Sequence, residues 1–243
     1  MMRSLLKIIN SILKIFKIKL IKISNQFDNS YRLVLGLKKH QIDHIFDIGA
    51  NEGQFVRGVR FYGYKKKITS FEPLIAAHKK LLKKSEKDKD WDVFRPIALG
   101  NKNSKVSINV SENSVSSSIL EISNEHIKNA PESKFIDKQS IDERKLEDIL
   151  NEINIDNQNL FLKIDTQGYE FQVLQGCFNI LGKFKGILVE VSLVELYVGQ
   201  KKWFEIVDLI QSHGFKLWSV DRGFTNKKNG KTLQLDLCFF RQI

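Results

Sequence analysis

The chain has 243 residues, of which 42% are hydrophobic, and this is enough to bury one full core with a short appendage. Its formal net charge is +11, yet six of the basic residues lie within residues 1–23, where no acidic residue occurs. The charge therefore indicates a basic arm rather than a nucleic-acid-binding protein, and no basic-aromatic RNA-reading motif accompanies it. Cys177 and Cys238 lie far apart in apolar runs, which is typical of a reducing compartment and argues against a disulfide framework or structural zinc site.

The arm, residues 1–23, predicts an amphipathic helix. Its apolar residues recur at helical spacing on one face and its lysines lie opposite, with Lys19 the one exception. The lysines interrupt the segment too often for a membrane-spanning helix, and the apolar stretch and cleavage site of a signal peptide are missing. Basic amphipathic helices can lie on anionic membranes, so we expect a cytoplasmic protein held peripherally on the inner face. The alternative is a helix that packs on the domain or on a second copy.

After the arm, a second helix is predicted over 28–39, and short apolar strands then alternate with helices. The predicted strands are 44–48, 67–71, 91–98, 160–165, 186–191, 216–221 and 233–240, and the predicted helices are 53–61, 74–84, 169–180 and 203–213. This alternation is typical of a mostly parallel sheet covered by helices on both faces. The last two strands have no helix between them, which predicts a hairpin and one antiparallel strand. We therefore expect an α/β, Rossmann-like, seven-stranded domain over 41–243, preceded by a basic amphipathic helical arm over 1–40.

Residues 101–159 interrupt the alternation. The sequence predicts one extra strand over 106–110, and the remainder is polar and rich in serine and asparagine. Long connections in α/β domains are more often functional than accidental, and this one follows the third strand at the edge where a substrate would enter. We interpret it as a substrate-side insertion or lid, with a flexible loop as the alternative.

The first strand runs into a glycine turn, D-I-G-A-N-E-G over 47–53, and Glu72 follows the second strand. Gly49 and Gly53 would let the backbone approach a ligand closely, and an acid about 20 residues downstream can accept hydrogen bonds from two ribose hydroxyls. The spacing fits a dinucleotide or S-adenosylmethionine (SAM). Asn51 stands where a dinucleotide site needs its middle glycine, and Asp47 would repel a pyrophosphate but attract the ammonium or sulfonium of SAM. The turn favours SAM, while an NAD-dependent oxidoreductase and an incidental βα turn stay open.

A second site-like segment begins at the strand over 160–165. Ligands of open α/β sheets bind beyond the carboxyl ends of the strands, and four carboxylates are expected along that rim: Asp47, Glu72, Asp165 and Glu190. Lys163 projects from the same side of its strand as Asp165 and is expected either to pair with that carboxylate or to form a structural ion pair.

Two further features of the polar residues leave alternatives open. Asp165 and Glu190 could share a divalent cation with Gln167 or with a serine of the insertion, although nothing in the spacing requires a metal. The histidines show no ligand partner in the sequence and are expected at the surface: His44, His78, His126 and His213.

The chain resembles the FkbM family of SAM-dependent methyltransferases over roughly residues 44–240. The motifs that carry the resemblance are F-D-I-G-A-N-E-G-Q (46–54), F-E-P (71–73), A-L-G (98–100), K-I-D-T-Q-G-Y-E (163–170), V-E-V-S (189–192), L-Y (196–197) and Q-L-D (234–236). The segment over 163–170 is the most specific of these. The resemblance implies that Asp47, Gly49, Asn51 and Gly53 lie on the donor loop and that Glu72 binds the ribose.

The resemblance also implies methyl transfer to an oxygen, as in a hydroxyl of a sugar in a polysaccharide or glycolipid, or of a natural product. A hydroxyl is a poor nucleophile at neutral pH, so a general base or a metal should assist. Asp165 is the leading candidate for the base because of its place at a strand end, and Glu190 is the second. The expected acceptor is a small molecule or glycan and not a nucleic acid. A non-enzymatic membrane-surface adaptor is the remaining alternative.

Overall fold

The computed structural model describes residues 2–21, 23, 26, 28–153, 155 and 158–242. Its strands are β1 (His44–Ile48), β2 (Lys67–Phe71), β3 (Trp91–Val93), β4 (Ala98–Leu99), β5 (Ser104–Ser111), β6 (Phe135–Arg144), β7 (Leu160–Ile164), β8 (Phe184–Ser192), β9 (Phe215–Arg222) and β10 (Gln234–Arg241). Its helices are α1 (Met2–Leu13), α2 (Asn29–Lys39), α3 (Gln54–Phe61), α4 (Ile75–Ser85), α5 (Asn124–Asn129), α6 (Leu146–Ile149), α7 (Glu170–Gln175) and α8 (Trp203–Ser212).

The main sheet has seven strands in the order β3-β2-β1-β7-β8-β10-β9. Adjacent strands of this sheet are parallel, except that β10 is antiparallel to both β8 and β9. The central strands β1 and β7 are buried at every residue, as expected of parallel strands covered on both faces. The prediction of a mostly parallel seven-stranded α/β sheet with one antiparallel strand is therefore confirmed.

Helices pack on both faces of this sheet. On one face, Leu37 of α2 and Val56 of α3 pack with Ile45 of β1. On the other face, α7 and α8 pack on β7 and β8, for example through Ile206 and Ile187. Helix α2 is therefore part of the core, which favours an arm that ends before this helix. The predicted boundary between arm and domain at residue 40 stays a prediction.

Two predicted elements are each split in the structure. The strand expected over 91–98 is two strands, since β3 ends at Val93 and β4 pairs with β6 in a different sheet. Pro96 lies between them, and proline lacks the N–H that a continuous ladder needs. The helix expected over 169–180 ends at Gln175 and is followed by a 3-10 turn over Phe178–Lys183. At Gly176 a side-chain carbon would lie 1.9 Å from the carbonyl oxygen of Gly100, so the backbones meet directly there.

The insertion over 101–159 consists largely of regular structure where it is described. Strands β4, β6 and β5 form a second, three-stranded sheet, and β5 contains the strand predicted over 106–110. Ile108 and Ile141 of this sheet are buried against Leu74 and Ala77 at the start of α4. The described part of the insertion is thus packed onto the domain, and its interpretation as a substrate-side insertion stays a prediction.

The helix of the arm is shorter than predicted. Helix α1 passes into a 3-10 turn over Lys14–Phe16, and Lys17 then adopts the left-handed conformation with φ of 56°. The side-chain amide of Asn10 pairs with the backbone of Leu20, accepting from its N–H at 2.6 Å and donating to its carbonyl at 2.8 Å. The chain therefore turns back along the helix, and the prediction of one continuous helix to residue 23 is wrong.

The amphipathic character of the arm stays a prediction. Lys22 and the side chains of Leu5, Lys7 and Ile8 lie outside what the structure describes, so the two faces are incompletely defined. Within the described part of the chain, no helix combines the length and the apolar character that crossing a membrane requires.

The packing of α2 generates a stability prediction. Leu37→Ala should lower the free energy of unfolding by about 2–5 kcal/mol, because it opens a cavity in the core at a fully buried side chain. Leu35→Ala on the same helix is the matched control, since Leu35 is 37% exposed and its truncation should cost less than about 1 kcal/mol. Chemical denaturation measures both, and equal effects of the two substitutions would show that α2 does not pack on the sheet.

Candidate active site

A cavity of 640 Å³ lies at the carboxyl ends of the central strands. One part of its wall comes from the turn after β1 and from Glu72 after β2, and another part comes from Asp165 and Glu190. The insertion supplies a third part through residues 113–117. The cavity thus joins the two segments that the sequence marks as site-like.

The glycine turn after β1 has the backbone conformation that its sequence suggests. Gly49 and Gly53 have positive φ angles of 73° and 81°, which disfavour a side chain. A Cβ atom added at Gly49 would lie 1.8 Å from the carbonyl oxygen of Asp165, and one added at Gly53 would lie 2.6 Å from the Trp91 ring. Both glycines are therefore required by contacts within the protein itself. Gly49 lines the cavity, whereas Gly53 caps α3 away from it.

Glu72 holds the turn from the next strand. Its two carboxyl oxygens accept hydrogen bonds from the backbone N–H groups of Asn51 at 2.7 Å and Leu74 at 2.9 Å. Burial raises the pKa of Glu72 to about 7, although these two hydrogen bonds oppose the rise. A carboxylate that titrates near neutrality therefore lines the cavity beside Gly49.

Asp47 lies beneath the turn and forms an ion pair with Lys163. The two residues are register partners in β1 and β7, and Lys163 Nζ lies 3.0 Å from Asp47 Oδ1. Asp47 is fully buried, accepts a hydrogen bond from Ser70 Oγ through its other carboxyl oxygen at 3.1 Å, and is not among the residues that line the cavity. Asp47 therefore does not face the cavity in this structure, and its predicted role toward a cationic ligand stays a prediction.

Lys163 has partners on both sides. Its ammonium donates to the carbonyl oxygen of Gly49 at 2.9 Å and lies 3.7 Å from Asp165 Oδ2. Burial alone would lower the pKa of Lys163, but the charges of Asp47 and Asp165 outweigh it and the pKa is raised. Lys163 thus combines the two roles expected for it, since it lies near Asp165 and also forms a structural ion pair, with Asp47, which is the closer of the two carboxylates.

Asp165 and Glu190 are brought together on adjacent strands. The side-chain amide nitrogen of Gln167 donates to Asp165 Oδ1 at 2.7 Å and to Glu190 Oε2 at 2.9 Å, so it bridges the two carboxyl groups. Burial, followed by the negative charges of Asp165 and Asp236, raises the pKa of Glu190 well above its usual range. Glu190 Oε2 accepts a second amide hydrogen bond, from Gln234, so it is held from two sides.

Three further residues complete this part of the site. Tyr197 donates its hydroxyl to Gln167 Oε1 at 2.9 Å, and Gln234 donates to Glu190 Oε2 at 2.5 Å. Asp236 is the register partner of Glu190, lines the cavity, and has a pKa raised to about 7 by burial. Sequence reasoning assigned these three no role, although Gln234 and Asp236 begin an antiparallel strand, and such a strand starts at the rim where parallel strands end.

The expectation of surface histidines is wrong for two of the four. His44 is fully buried between Gln158 Oε1 at 2.9 Å and Thr69 Oγ1 at 2.8 Å, and burial lowers its pKa to about 4. His126 of α5 is 3% exposed, lines the cavity and packs edge-to-face on the Tyr197 ring at 5.1 Å.

Metal-ligating groups do not converge in the part of the chain that the structure describes. There, no three His, Cys, Asp or Glu side chains form a group that could hold a metal ion. Cys177 and Cys238 are buried free thiols, and burial raises the pKa of each.

Comparison with known proteins identifies the family. The model of the methyltransferase FkbM domain matches residues 47–217 of the chain. None of the curated proteins compared with the chain matches it.

Several solved structures are similar in fold. A precorrin-6y C5,15-methyltransferase of Geobacter metallireducens aligns over 87% of each chain, with 8% identity and a TM-score of 0.45. A TehB-like SAM-dependent methyltransferase of Corynebacterium glutamicum aligns over 89% of each chain, with 7% identity and a TM-score of 0.41. An rRNA methylase of Streptococcus thermophilus aligns over 85% of this chain and 95% of its own, with 8% identity and a TM-score of 0.45. These similarities are low, and the assignment depends on the family match.

The family match extends from the glycine turn through the segment over 163–170. Of the two ligands that the turn left open, a dinucleotide or SAM, the family match favours SAM. The chain belongs to the FkbM family of SAM-dependent methyltransferases.

Proposed function

We propose that the protein transfers a methyl group from SAM to a hydroxyl oxygen of a sugar in a polysaccharide or glycolipid, or of a natural product. The observation that carries this proposal is the single cavity that joins the glycine turn and Glu72 to Asp165 and Glu190. Displacement at carbon depends mainly on aligning the two reactants, and one cavity lined by both sets of groups can hold them in a fixed geometry.

The donor end of the cavity fits SAM. Glu72 uses one acceptor position on each oxygen for the N–H groups of Asn51 and Leu74. A carboxylate has about four such positions, so two ribose hydroxyls can still donate to Glu72. In this proposal Gly49, Asn51 and Glu72 contact the donor, while Asp47 and Gly53 support the turn from behind.

The acceptor end supplies the proton-accepting group. When bound, SAM supplies a methyl group on a positively charged sulfur. Asp165 would accept the proton of the acceptor hydroxyl as the hydroxyl oxygen takes the methyl group and the sulfur keeps the electron pair of the broken bond. Gln167, which donates to both Asp165 and Glu190, orients Asp165. Residues 113–117, which contain three serines and an asparagine, provide further partners for a hydroxyl-rich acceptor.

SAM binding should depend on the ionisation of Glu72. Because the pKa of Glu72 is about 7, the affinity of the wild type should rise between about pH 6 and pH 8, as the carboxylate forms and accepts the ribose hydroxyls. Glu72→Gln should weaken binding about tenfold at pH 8 and remove the pH dependence. Calorimetric titration of SAM, with NAD as the control ligand, measures this.

The matched control for that titration is Glu52→Gln. Glu52 is a neighbouring carboxylate whose side chain pairs with Lys80 and Lys84, and it does not line the cavity. An undiminished affinity in Glu72→Gln, or binding of NAD by the wild type, would contradict the assigned donor site.

Asp165→Asn should reduce methyl transfer by about 100- to 10,000-fold at saturating SAM, because the acceptor proton loses its base. Release of S-adenosylhomocysteine (SAH) with a panel of methyl glycosides measures turnover, and NMR of the product locates the methyl group. Asp137→Asn, at an exposed carboxylate of β6, is the control and should leave turnover unchanged. Wild-type turnover in Asp165→Asn, or methylation confined to nitrogen-bearing acceptors, would overturn the assigned chemistry.

We also propose that residues 1–23 attach the enzyme to the inner face of an anionic membrane. Support comes from large apolar side chains of the arm that are half or more exposed, namely Ile12, Ile15, Phe16, Ile18 and Ile23. Exposed lysines lie among them, at positions 14, 17 and 19. Each lysine near an anionic surface contributes about 1 kcal/mol, so the apolar and cationic terms act together.

Co-sedimentation with vesicles tests this attachment. The full chain should sediment with vesicles that contain phosphatidylserine and much less with neutral vesicles. The double substitution Ile15→Asn and Phe16→Asn should abolish the association, whereas Phe61→Asn, at a side chain on the domain that is 75% exposed, should not. Equal sedimentation of the two variants would contradict attachment through the arm.

A further inference from the structure

Three charged side chains at the centre of the sheet form what we name the ion triad: Asp47, Lys163 and Asp165. We propose that the ion triad holds a net charge of −1 at the reacting end of the cavity, and that Lys163 is the positioning residue that sets this value. The inference rests on the proposed function, because it concerns the charge of the methyl donor.

The geometry of the ion triad makes its charges interdependent. Lys163 Nζ lies 3.0 Å from Asp47 Oδ1 and 3.7 Å from Asp165 Oδ2. The Lys163 side chain is 8% exposed and that of Asp47 is 0% exposed, whereas that of Asp165 is 36% exposed. Solvent therefore screens the pair of Asp47 and Lys163 very little, and Asp165 is the member that presents its charge to the cavity.

Lys163 also fixes where this charge lies. Its ammonium donates to the carbonyl oxygen of Gly49, the turn residue that contacts the backbone of Asp165. The same cation thus holds the donor turn and the proton-accepting carboxylate. It also pairs with Asp47, which does not line the cavity.

A net charge of −1 matches both sides of the proposed reaction. The amino and carboxyl groups of SAM cancel, so its sulfonium gives it a net charge of +1, and the ion triad with SAM sums to zero. After transfer, SAH is neutral and Asp165 has taken the acceptor proton, so the sum is again zero. Glu190 and Asp236 face Asp165 from β8 and β10, and burial raises the pKa of each, to about 7 for Asp236.

The consequence is a preference for SAM over SAH that depends on the net charge of the ion triad. We define the preference as the dissociation constant of SAH divided by that of SAM. Removing one negative charge from the ion triad should lower this preference about tenfold, the size expected for unit charges separated by several ångströms in a partly solvated site. A purely structural loss would weaken both ligands equally and leave the preference unchanged.

A set of charge variants tests the inference by calorimetric titration of SAM and of SAH. Asp165→Asn and Asp47→Asn each bring the net charge to zero and should each lower the preference about tenfold. Asp47→Asn combined with Lys163→Met restores −1, so its preference should return to within about twofold of the wild type. Lys84→Met is the matched control, because it removes a cation that pairs with Glu52 outside the cavity, and its preference should not change.

Thermal unfolding confirms that each variant is folded before the titration. If Asp47→Asn does not fold, because Lys163 is left buried without its partner, Asp165→Asn and the double variant decide the outcome. A wild-type preference in folded Asp165→Asn, or a double variant shifted as far as Asp165→Asn, would overturn the inference. A wild type that binds neither ligand would instead overturn the proposed function.

Discussion

The buried ion pair between Asp47 and Lys163 is the interaction on which the rest of the site depends. It links the two central strands at their register partners and is enclosed within the protein. Removing one partner of such a pair typically costs about 3–5 kcal/mol, because the other charge stays buried without compensation. The same lysine donates a hydrogen bond to the carbonyl oxygen of Gly49. Lys163 therefore contributes both to the stability of the sheet centre and to the shape of the glycine turn.

Around this pair, the topology of the sheet gathers polar groups at one rim. Parallel strands β1, β2, β7 and β8 deliver their carboxyl ends there, and β10 runs the opposite way, so its first residues reach the same rim. The insertion packs over the start of α4 and contributes residues 113–117 to the cavity wall. The groups that we propose to face the donor and the acceptor thus come from separate strands, and the sheet sets their spacing.

The sequence was informative wherever a local pattern decides the structure. Short apolar runs predicted the strands because both faces of the sheet are covered, and the positive φ angles agree with the glycines of the turn. The sequence was less informative where contacts between residues distant in the chain determine the structure. The sequence predicted Asp47 as a ligand-facing anion, but its pairing with Lys163 and its burial depend on the alignment of β1 with β7. The bridge from Gln167 to Asp165 and Glu190, and the burial of His126, likewise arise only when separate segments pack.

We propose that one cavity binds the donor at Glu72 and presents its sulfur to Asp165. A crystal structure of the full chain with SAH bound tests this arrangement most directly. We expect both ribose hydroxyls to donate to the Glu72 carboxylate and the sulfur to lie on the side of the cavity lined by Asp165 and Glu190. A ribose bound away from Glu72, or a sulfur that points away from Asp165, would contradict it.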